Sequence, residues 1–543
     1  MNGRPLIPPP VNEPVLNYAP GSAEKKALKA RLAEMKSREV DIPLFIGGKE
    51  VRTGKTVECR SPHEHGRLLG RYHKGGPKEY KAAIDAAVRA RRDWAAMPFH
   101  ARAAIFLRAA ELLANDWRWT LNAATMLCQS KTAHQAEIDA ACELVDFYRF
   151  NVKFAEQIYD QQPQSSRGTW NYLEQRPLEG FVFAVTPFNF TSIAGNLPTA
   201  PAIMGNTVVW KPASSTTYTA HYLMELWRAA GLPPGVINLV QGSASELSET
   251  VLSHRDFAGL HFTGSTGVFN GIWKKVGDTV GAYRTYPRLV GETGGKDFVV
   301  VHPSADLDAV ATGLIRGAFE YQGQKCSAAS RAYVPDSLWP KLKKRMADEL
   351  ATVRMGSPED FRNFFCAVID RNAFESIKAY IDHARKAKDE SRIVIGGKCD
   401  DSKGYFIEPT VIEAKKPDAR TLCEEIFGPV LTVYVYPQKR WQETLRICDR
   451  TSPYALTGAV FAHDRQAIET ARETLVNAAG NFYINDKPTG AVVGQQPFGG
   501  ARSSGTNDKA GSLVNLLRWV SPRTVKENLD PPRDYRYPFL SEA

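Results

Sequence analysis

One cysteine and one glutamate combine reactive side chains with glycine-rich surroundings. Cys326 lies in the run YQGQKCS (321–327), and Glu292 lies upstream in the run GETGGK (291–296). A thiolate can attack a carbonyl carbon, and a carboxylate can then deprotonate the water that releases the product. Because a free thiol is largely protonated at neutral pH, the surroundings of Cys326 must assist its ionisation. The pair therefore predicts covalent oxidation of an aldehyde.

The composition is that of a large globular protein in a reducing compartment. The chain has 543 residues, of which 43% are hydrophobic and 24% charged, enough for two or three domains. Its eight cysteines form neither a C-x-x-C pair nor a zinc spacing, so we expect no disulfide and no metal. We find no apolar run of the ~18 residues that a membrane span requires, and no apolar signal core in the proline-rich start. We expect a location in the cytoplasm for a bacterial protein, and in the mitochondrial matrix for a mature eukaryotic chain.

The formal charge of +10 could indicate a nucleic-acid partner. Basic residues are however interspersed with acids, as in the run DHARKAKDE (382–390). A nucleic-acid surface needs a one-sided basic stripe with stacking aromatic rings. We therefore expect a solvated mixed surface and no nucleic-acid binding.

Periodicity predicts the elements that position the reactive residues. Ser22 is expected to cap a helix with Leu28, Leu32 and Met35 on one face. Pro77 is expected to begin a second helix. We therefore predict that the first third of the chain is mainly helical. Farther along, short apolar runs alternate with helical stretches, which is typical of the α/β class with parallel strands. Ligands then lie beyond the carboxyl ends of these strands. The predicted strands are 181–185, 207–210, 236–240, 260–262 and 298–301.

Motifs stand just after several of these strands. They are TPFNF (186–190), KP (211–212) and TGST (263–266), and with Cys326 and Glu292 they form an ordered set. This set resembles the aldehyde dehydrogenase superfamily over nearly the whole chain. The resemblance implies an α/β fold with a Rossmann-type cofactor domain, an α/β catalytic domain and a small β-flap for oligomerisation. The implied boundaries are 1–160 with 180–291 for the cofactor domain, 292–504 for the catalytic domain, and 161–179 with 505–543 for the flap and C-terminal tail.

The resemblance also implies catalytic and cofactor-binding residues. Cys326 would be the nucleophile, Glu292 the base, and Asn189 a donor to the oxyanion. NAD is the expected cofactor, although Ser214 stands where many NAD-preferring relatives have a glutamate, which leaves NADP open. A second departure is Phe269, at a position where the superfamily often has glycine. The implied cofactor-binding residues are Thr186, Lys211, Gly264, Ser265, Glu425 and Phe427.

Three further runs narrow the substrate. QAEID (135–139), GQQPFGG (494–500) and SGTND (504–508) resemble the branch of the family that oxidises L-glutamate γ-semialdehyde. By this resemblance, one loop binds the substrate carboxylate through backbone N–H groups, a hydroxyl lies by the aldehyde, a glutamate faces the ammonium, and two rings clamp the chain. Some relatives have serine where Ala491 stands. The implied substrate-binding residues are Gly490 and Ala491 in the loop, Ser327 for the hydroxyl, Glu143 for the glutamate, and Phe190 and Phe498 for the two rings.

Segments 168–178 and 514–520 resemble the two pieces of the family's flap, which predicts a homodimer or a multiple of it. Two other interpretations stay open. The chain could be a silent relative kept as a binding protein, or an enzyme that oxidises another short semialdehyde. For single residues, Glu143 could be a surface acid and the two phenylalanines ordinary core residues.

Overall fold

The computed structural model describes residues 5–541, and its first large sheet has seven strands. Five neighbouring strands are parallel, and two strands from the N-terminal region extend the sheet in antiparallel pairing. Parallel strands are buried on both faces, which explains their unbroken apolar runs. In spatial order the strands are Arg288–Glu292, Phe257–Thr263, Phe181–Val185, Thr207–Lys211, Ile237–Leu239, Leu44–Ile46 and Lys49–Val51.

The second large sheet also has seven strands, and only its first edge strand is antiparallel. Two sheets of mostly parallel strands confirm the predicted α/β class. The order is Ser391–Ile395, Thr410–Ala414, Val430–Tyr436, Arg331–Pro335, Phe298–Val301, Thr457–Phe461 and Asn481–Ile484.

Helices connect the strands and cover the sheets. None of the helices within residues 5–541 is both long and apolar enough to cross a membrane. A π-helix, Glu137–Glu143, interrupts the helical region that precedes the strand Phe181–Val185. The α-helices are Ala23–Lys36, Pro77–Ala96, Phe99–Ala114, Asp116–Gln129, Ala133–Ala136, Leu144–Asp160, Thr191–Ile203, Thr217–Ala230, Ala244–Leu252, Thr266–Thr279, Leu307–Phe319, Trp339–Leu350, Arg371–Lys386, Arg420–Cys423, Trp441–Arg450, Arg465–Thr474 and Leu513–Leu517.

Four small sheets complete the fold. In one of them, Thr169–Pro177 pairs antiparallel with Val520–Asn528, and this two-stranded ribbon is called the flap below. The other three are Val40–Ile42 with Glu64–His73 and Thr56–Ser61, Cys399–Asp400 with Phe406–Ile407, and Tyr454–Ala455 with Ala501–Arg502.

Several predicted elements agree with the structure and others need correction. The Ser22 hydroxyl accepts a hydrogen bond from the Lys25 N–H, and the helix Pro77–Ala96 begins at the predicted proline. The first third also contains five strands between residues 40 and 73, which helical periodicity did not reveal. The run 514–520 is not a flap strand, because its first part is the helix Leu513–Leu517 and Trp519 is buried against His261. The flap strand begins only at Val520.

Candidate active site

The loop before Cys326 has a backbone conformation that few residues adopt. Tyr321, Gln322 and Gly323 lie consecutively in the left-handed region, with φ of 49°, 56° and 65°. A Cβ atom at Gly323 would lie 2.2 Å from the carbonyl oxygen of Gly428, so only glycine fits there. This conformation costs free energy at residues other than glycine, so contacts with the surrounding structure must hold the loop in place.

The Gln322 side chain supplies those contacts. Its amide nitrogen donates to the carbonyls of Ser130 and Ala367, at 3.2 and 2.6 Å, and its amide oxygen accepts from the Cys366 N–H at 3.2 Å. Buried amide groups with three partners are fixed in orientation. The loop that carries Cys326 is therefore tied to two segments remote in sequence.

The side chains of Cys326 and Glu292 lie next to each other. Cys326 is 8% exposed, and its Sγ lies 4.0 Å from Glu292 Oε1. Glu292 is the last residue of the strand Arg288–Glu292, at the carboxyl edge of the first sheet. Burial, and then the neighbouring Glu292, raise the pKa of the Cys326 thiol well above its usual value, which is opposite to the assistance expected from the sequence. Burial raises the pKa of Glu292 to about 8, an effect that the nearby Lys509 charge partly offsets.

Asn189 approaches the nucleophile loop from the first sheet. It is 3% exposed, and its Nδ2 donates to the Gln324 carbonyl oxygen at 3.1 Å. The helix Thr191–Ile203 starts just after it, and the Asp139 carboxylate accepts hydrogen bonds from the first two N–H groups of that helix, at 3.0 and 2.8 Å. A carboxylate at a helix N-terminus is favoured by the helix dipole.

Asp139 is also half of a buried ion pair. Lys131 Nζ lies 2.6 Å from Asp139 Oδ2, and both side chains are fully buried. The ammonium stands 4.2 Å from the centre of the Phe190 ring and 4.4 Å from that of Tyr321, which are cation–π distances. Lys131 thus joins the turn that carries Asn189 to the loop that carries Cys326.

We predict that Lys131→Met destabilises the protein by about 3–5 kcal/mol, because it leaves a buried carboxylate without its counter-ion. The midpoint of thermal unfolding should fall clearly. Lys344→Met is the matched control, since Lys344 forms an exposed ion pair with Asp348 on a helix and should change the midpoint little. Equal midpoints for the two variants would contradict this assignment.

A cavity of about 340 Å³ opens beside Cys326. It is lined by apolar side chains and a few polar groups, as small-molecule sites usually are. Gly490 has φ of 95°, and Ser327 Oγ lies 2.7 Å from Thr489 Oγ1. All six residues predicted to bind substrate line this cavity with the nucleophile, namely Glu143, Phe190, Ser327, Gly490, Ala491 and Phe498.

Glu143 belongs to the cavity wall and not to the outer surface. It ends the π-helix, and its Oε2 accepts a hydrogen bond from Ser192 Oγ at 3.0 Å. Burial first, and then the Asp139 charge, raise the pKa of Glu143 to about 8. The carboxyl group is therefore mostly protonated at neutral pH until a cation joins it.

The sequence did not single out every residue of the site. Lys509, which follows the SGTND run directly, lies near Glu292 and donates to the carbonyls of Gly480 and Gly499 at 2.8 and 3.1 Å. Lys131 also gave no signal, because it lies outside the motifs and its neighbours Phe190 and Tyr321 are distant in sequence. The N-terminal residues Asn12, Glu13 and Val15 also line the large cavity.

The predicted cofactor-binding residues lie mostly at strand ends or at a helix start. Lys211 ends the strand Thr207–Lys211, and burial lowers its pKa. Its Nζ donates to the Pro212 carbonyl at 3.3 Å, and no ion pair engages it within residues 5–541. Thr186 follows the strand Phe181–Val185, and its Oγ1 accepts from Trp210 Nε1 at 3.0 Å. A buried ammonium without a carboxylate partner suits a polar ligand such as a ribose.

The remaining predicted cofactor residues also fit a dinucleotide. Gly264 and Ser265 precede the helix Thr266–Thr279, whose first N–H groups could bind a phosphate. Glu425 Oε1 accepts from the Gly295 N–H at 2.9 Å, and burial raises the pKa of this carboxyl. The Phe427 ring, on a residue with φ of 55°, packs against Phe188 at 5.7 Å.

The departure at Phe269 has a structural reason. Its ring is buried and stacks on Phe262 at a centroid distance of 5.5 Å. A Cβ atom at Gly291 would lie 2.2 Å from the Phe269 ring, so the ring occupies space that the glycine leaves open. The aromatic side chain thus packs beneath the strand that ends at Glu292.

A thiol that lines a cavity and lies 4.0 Å from a carboxyl group, next to a sheet edge suited to a dinucleotide, is typical of an α/β oxidoreductase with a cysteine nucleophile. Comparison with known proteins refines this class. The family model described as "Aldehyde dehydrogenase family" matches residues 50–525. The chain belongs to the aldehyde dehydrogenase family.

Relatives within the family are similar over nearly the full chain. The mitochondrial delta-1-pyrroline-5-carboxylate dehydrogenase of Dictyostelium discoideum is 53% identical, with 98% of this chain and 96% of that protein covered. The human mitochondrial protein of the same name is 48% identical, with 97% and 94% covered. The crystal structure of the corresponding Mycobacterium tuberculosis enzyme bound with NAD has a TM-score of 0.96 and 52% identity, with both chains fully covered.

Proposed function

We propose that this protein oxidises L-glutamate γ-semialdehyde, which forms from Δ1-pyrroline-5-carboxylate, to L-glutamate with NAD⁺, the second step of proline degradation. The observation that carries the proposal is the cavity, which places Cys326 with its 4.0 Å Glu292 contact near the Gly490–Ala491 backbone. The names of the relatives in Dictyostelium, human and M. tuberculosis support the same substrate and cofactor.

The chemistry follows from residues of this chain. The Cys326 thiol gives its proton to solvent, and the thiolate adds to the aldehyde carbon. The resulting oxyanion accepts hydrogen bonds from Asn189 Nδ2 and the Cys326 N–H. Removal of one such donor typically costs about 10²–10³ in rate. Oxidation of this carbon requires a hydride acceptor, which NAD⁺ would supply when bound by the residues assigned to it. The Cys326 thioester remains, Glu292 takes a proton from water, and the hydroxide releases glutamate and the thiol.

The substrate has three groups to recognise besides the aldehyde. We assign the α-carboxylate to the N–H groups of Gly490 and Ala491, and we place the Ser327 hydroxyl by the aldehyde. We assign the ammonium to Glu143, whose pKa falls again when a cation comes close. Phe190 and Phe498 enclose the methylene chain.

We predict that thioester hydrolysis speeds up as pH rises through about 8, because Glu292 must be ionised to accept a proton and burial raises its pKa to about 8. The steady rate should be measured between pH 6 and 10, and below the midpoint it should rise about tenfold per unit. Lys509→Met should move the midpoint upward, since the Lys509 charge favours ionised Glu292. A rate independent of pH between 6 and 9 would contradict the role of Glu292.

We also propose a homodimer, or a multiple of it, held by the flap. Within residues 5–541 the two flap strands pair only with each other, and Trp170 on the flap is 56% exposed. Unpaired strand edges favour pairing with a second chain.

We further propose that the two large sheets form the cofactor-binding domain and the catalytic domain, with Glu292 at their boundary. For a eukaryotic source we propose the mitochondrial matrix, as the names of the relatives suggest, and for a bacterial source the cytoplasm.

Purified protein mixed with NAD⁺ and a panel of aldehydes tests the substrate. Reduced cofactor should form with glutamate semialdehyde at a kcat/KM at least about tenfold above that for succinic semialdehyde, which lacks the ammonium and is one carbon shorter. Repeating the panel with NADP⁺ tests the choice of cofactor. A higher kcat/KM for another short semialdehyde would replace the substrate in this proposal and leave the family assignment intact.

A further inference from the structure

An extended N-terminal segment forms part of the cavity wall. Residues 7–18, called the strap below, form neither helix nor strand, and Asn12, Glu13 and Val15 within it line the cavity that Cys326 shares. The family match begins at residue 50, so the strap lies outside the matched range. Part of the substrate site is therefore built from a segment that the family model does not include.

Carboxylates along the neighbouring helical region hold the backbone of the strap. The N–H groups of Ile7, Glu13 and Leu16 donate to carboxylate oxygens at 2.7, 2.7 and 2.9 Å. Hydrogen bonds to charged acceptors are stronger than neutral ones. These three anchors fix the strap along its length, and their acceptors are Glu156, Asp146 and Glu137.

The Glu13 side chain adds a fourth anchor. Its two carboxylate oxygens accept from Arg118 at 2.7 Å and from Arg149 at 2.8 Å. Glu13 and Arg118 are largely buried, so this contact is better shielded from solvent than an ordinary surface ion pair. The four anchors therefore make the strap a rigid part of the cavity wall.

Asn12 connects this wall to a second segment that lines the cavity. Its Nδ2 donates to Asp146 Oδ2 at 2.8 Å and to the Val493 carbonyl at 2.9 Å, and its Oδ1 accepts from Gln495 Nε2 at 2.9 Å. One amide therefore joins the strap, the helix Leu144–Asp160 and the loop 489–496. That loop carries the two backbone N–H groups to which we assign the substrate carboxylate.

We infer that Asn12 is a positioning residue for substrate specificity, which acts by holding the loop 489–496 at the distance that a glutamate-like carboxylate requires. The inference rests on the proposed function. Backbone N–H donors bind an anion well only when they are held in place, so loosening the loop weakens recognition of the carboxylate. Chemistry at the aldehyde end, which uses other residues, is unaffected.

Asn12→Ala tests this inference with two aldehydes. The KM for glutamate semialdehyde should rise about tenfold, with kcat changed less than about twofold. For butyraldehyde, which has neither the carboxylate nor the ammonium, kcat/KM should stay within about twofold of the wild type. A purely structural role would alter both substrates equally, so the difference between them is the informative readout.

Two further variants complete the experiment. Asn17→Ala is the matched control, because Asn17 lies in the same strap and is exposed. Within residues 5–541 its side chain makes one hydrogen bond, in which Oδ1 accepts from the Ala19 N–H at 3.0 Å. It should behave as the wild type with both aldehydes. Gln495→Ala removes the loop end of the bridge at an exposed position and should raise the same KM about threefold. Combined with Asn12→Ala it should add little, since both changes break one contact.

The outcomes separate this inference from the proposed function. A wild-type protein inactive on glutamate semialdehyde would overturn both. An active wild type whose KM is unchanged by Asn12→Ala and Gln495→Ala would overturn only the role of Asn12. Equal losses of kcat/KM for both aldehydes would also overturn only the role of Asn12. If Asn12→Ala does not fold, the result for Gln495→Ala alone tests that role.

Discussion

Cys326→Ala is expected to lose aldehyde oxidation by at least about 10³-fold, because without the sulfur no bond to the aldehyde carbon can form. Binding of NAD⁺ should persist, since the residues assigned to the cofactor lie on other segments. Steady-state turnover and the quenching of tryptophan fluorescence by NAD⁺ measure the two properties. The loss would be among the largest that any single substitution produces in this protein.

The control for this result is a second cysteine in the same half of the chain. Cys399 lies on the short strand Cys399–Asp400, is partly exposed and is not among the residues that line the cavity. Cys399→Ala should retain near wild-type turnover. Substantial turnover by Cys326→Ala would show that the nucleophile has been wrongly assigned.

Glu292→Gln is expected to slow thioester hydrolysis by about 10²–10⁴ while leaving the earlier steps possible. Because oxidation precedes hydrolysis, the first turnover should release a burst of reduced cofactor of up to one equivalent per active site. Rapid mixing with a stoichiometric excess of NAD⁺ and semialdehyde measures this burst. The dependence of the slow rate on pH should also lose its rise near pH 8, since the titrating carboxyl group is absent.

Glu424→Gln provides the comparison for this variant. Glu424 is exposed and bonds to Tyr380 and Arg420, next to Glu425 in sequence but on the protein surface. It should show neither a burst nor a slower steady rate. A Glu292→Gln protein that turns over at the wild-type rate would assign the base to another residue.

Much of the fold could be predicted from the sequence because its central strands are fully buried. The strands Phe181–Val185 and Phe298–Val301 match the predicted runs at both ends, since each is a continuous apolar run. The strand Arg288–Glu292 was missed because the run RLVGE contains few apolar residues. The five strands between residues 40 and 73 were missed because they are short or partly exposed, so that no alternation stands out.

The parts of the candidate site that lie in sequence motifs could be predicted from the sequence. The structure brings Cys326 and Glu292 together and gathers all six expected substrate residues around one cavity. The bridge formed by Asn12 and the contacts of Lys131 with Phe190 and Tyr321 gave no signal, because tertiary structure brings these residues together from distant parts of the chain. A proline-rich segment has no periodicity from which such contacts could be inferred.

The backbone before Cys326 has a consequence for protein engineering. Gly323 cannot carry a side chain, and the amide of Gln322 is held by Ser130, Cys366 and Ala367 from two distant parts of the chain. A graft that moves only the segment 321–327 into a protein without matching contacts would lose these supports. Transfer of the sulfur in its working position thus requires three segments to be transplanted together.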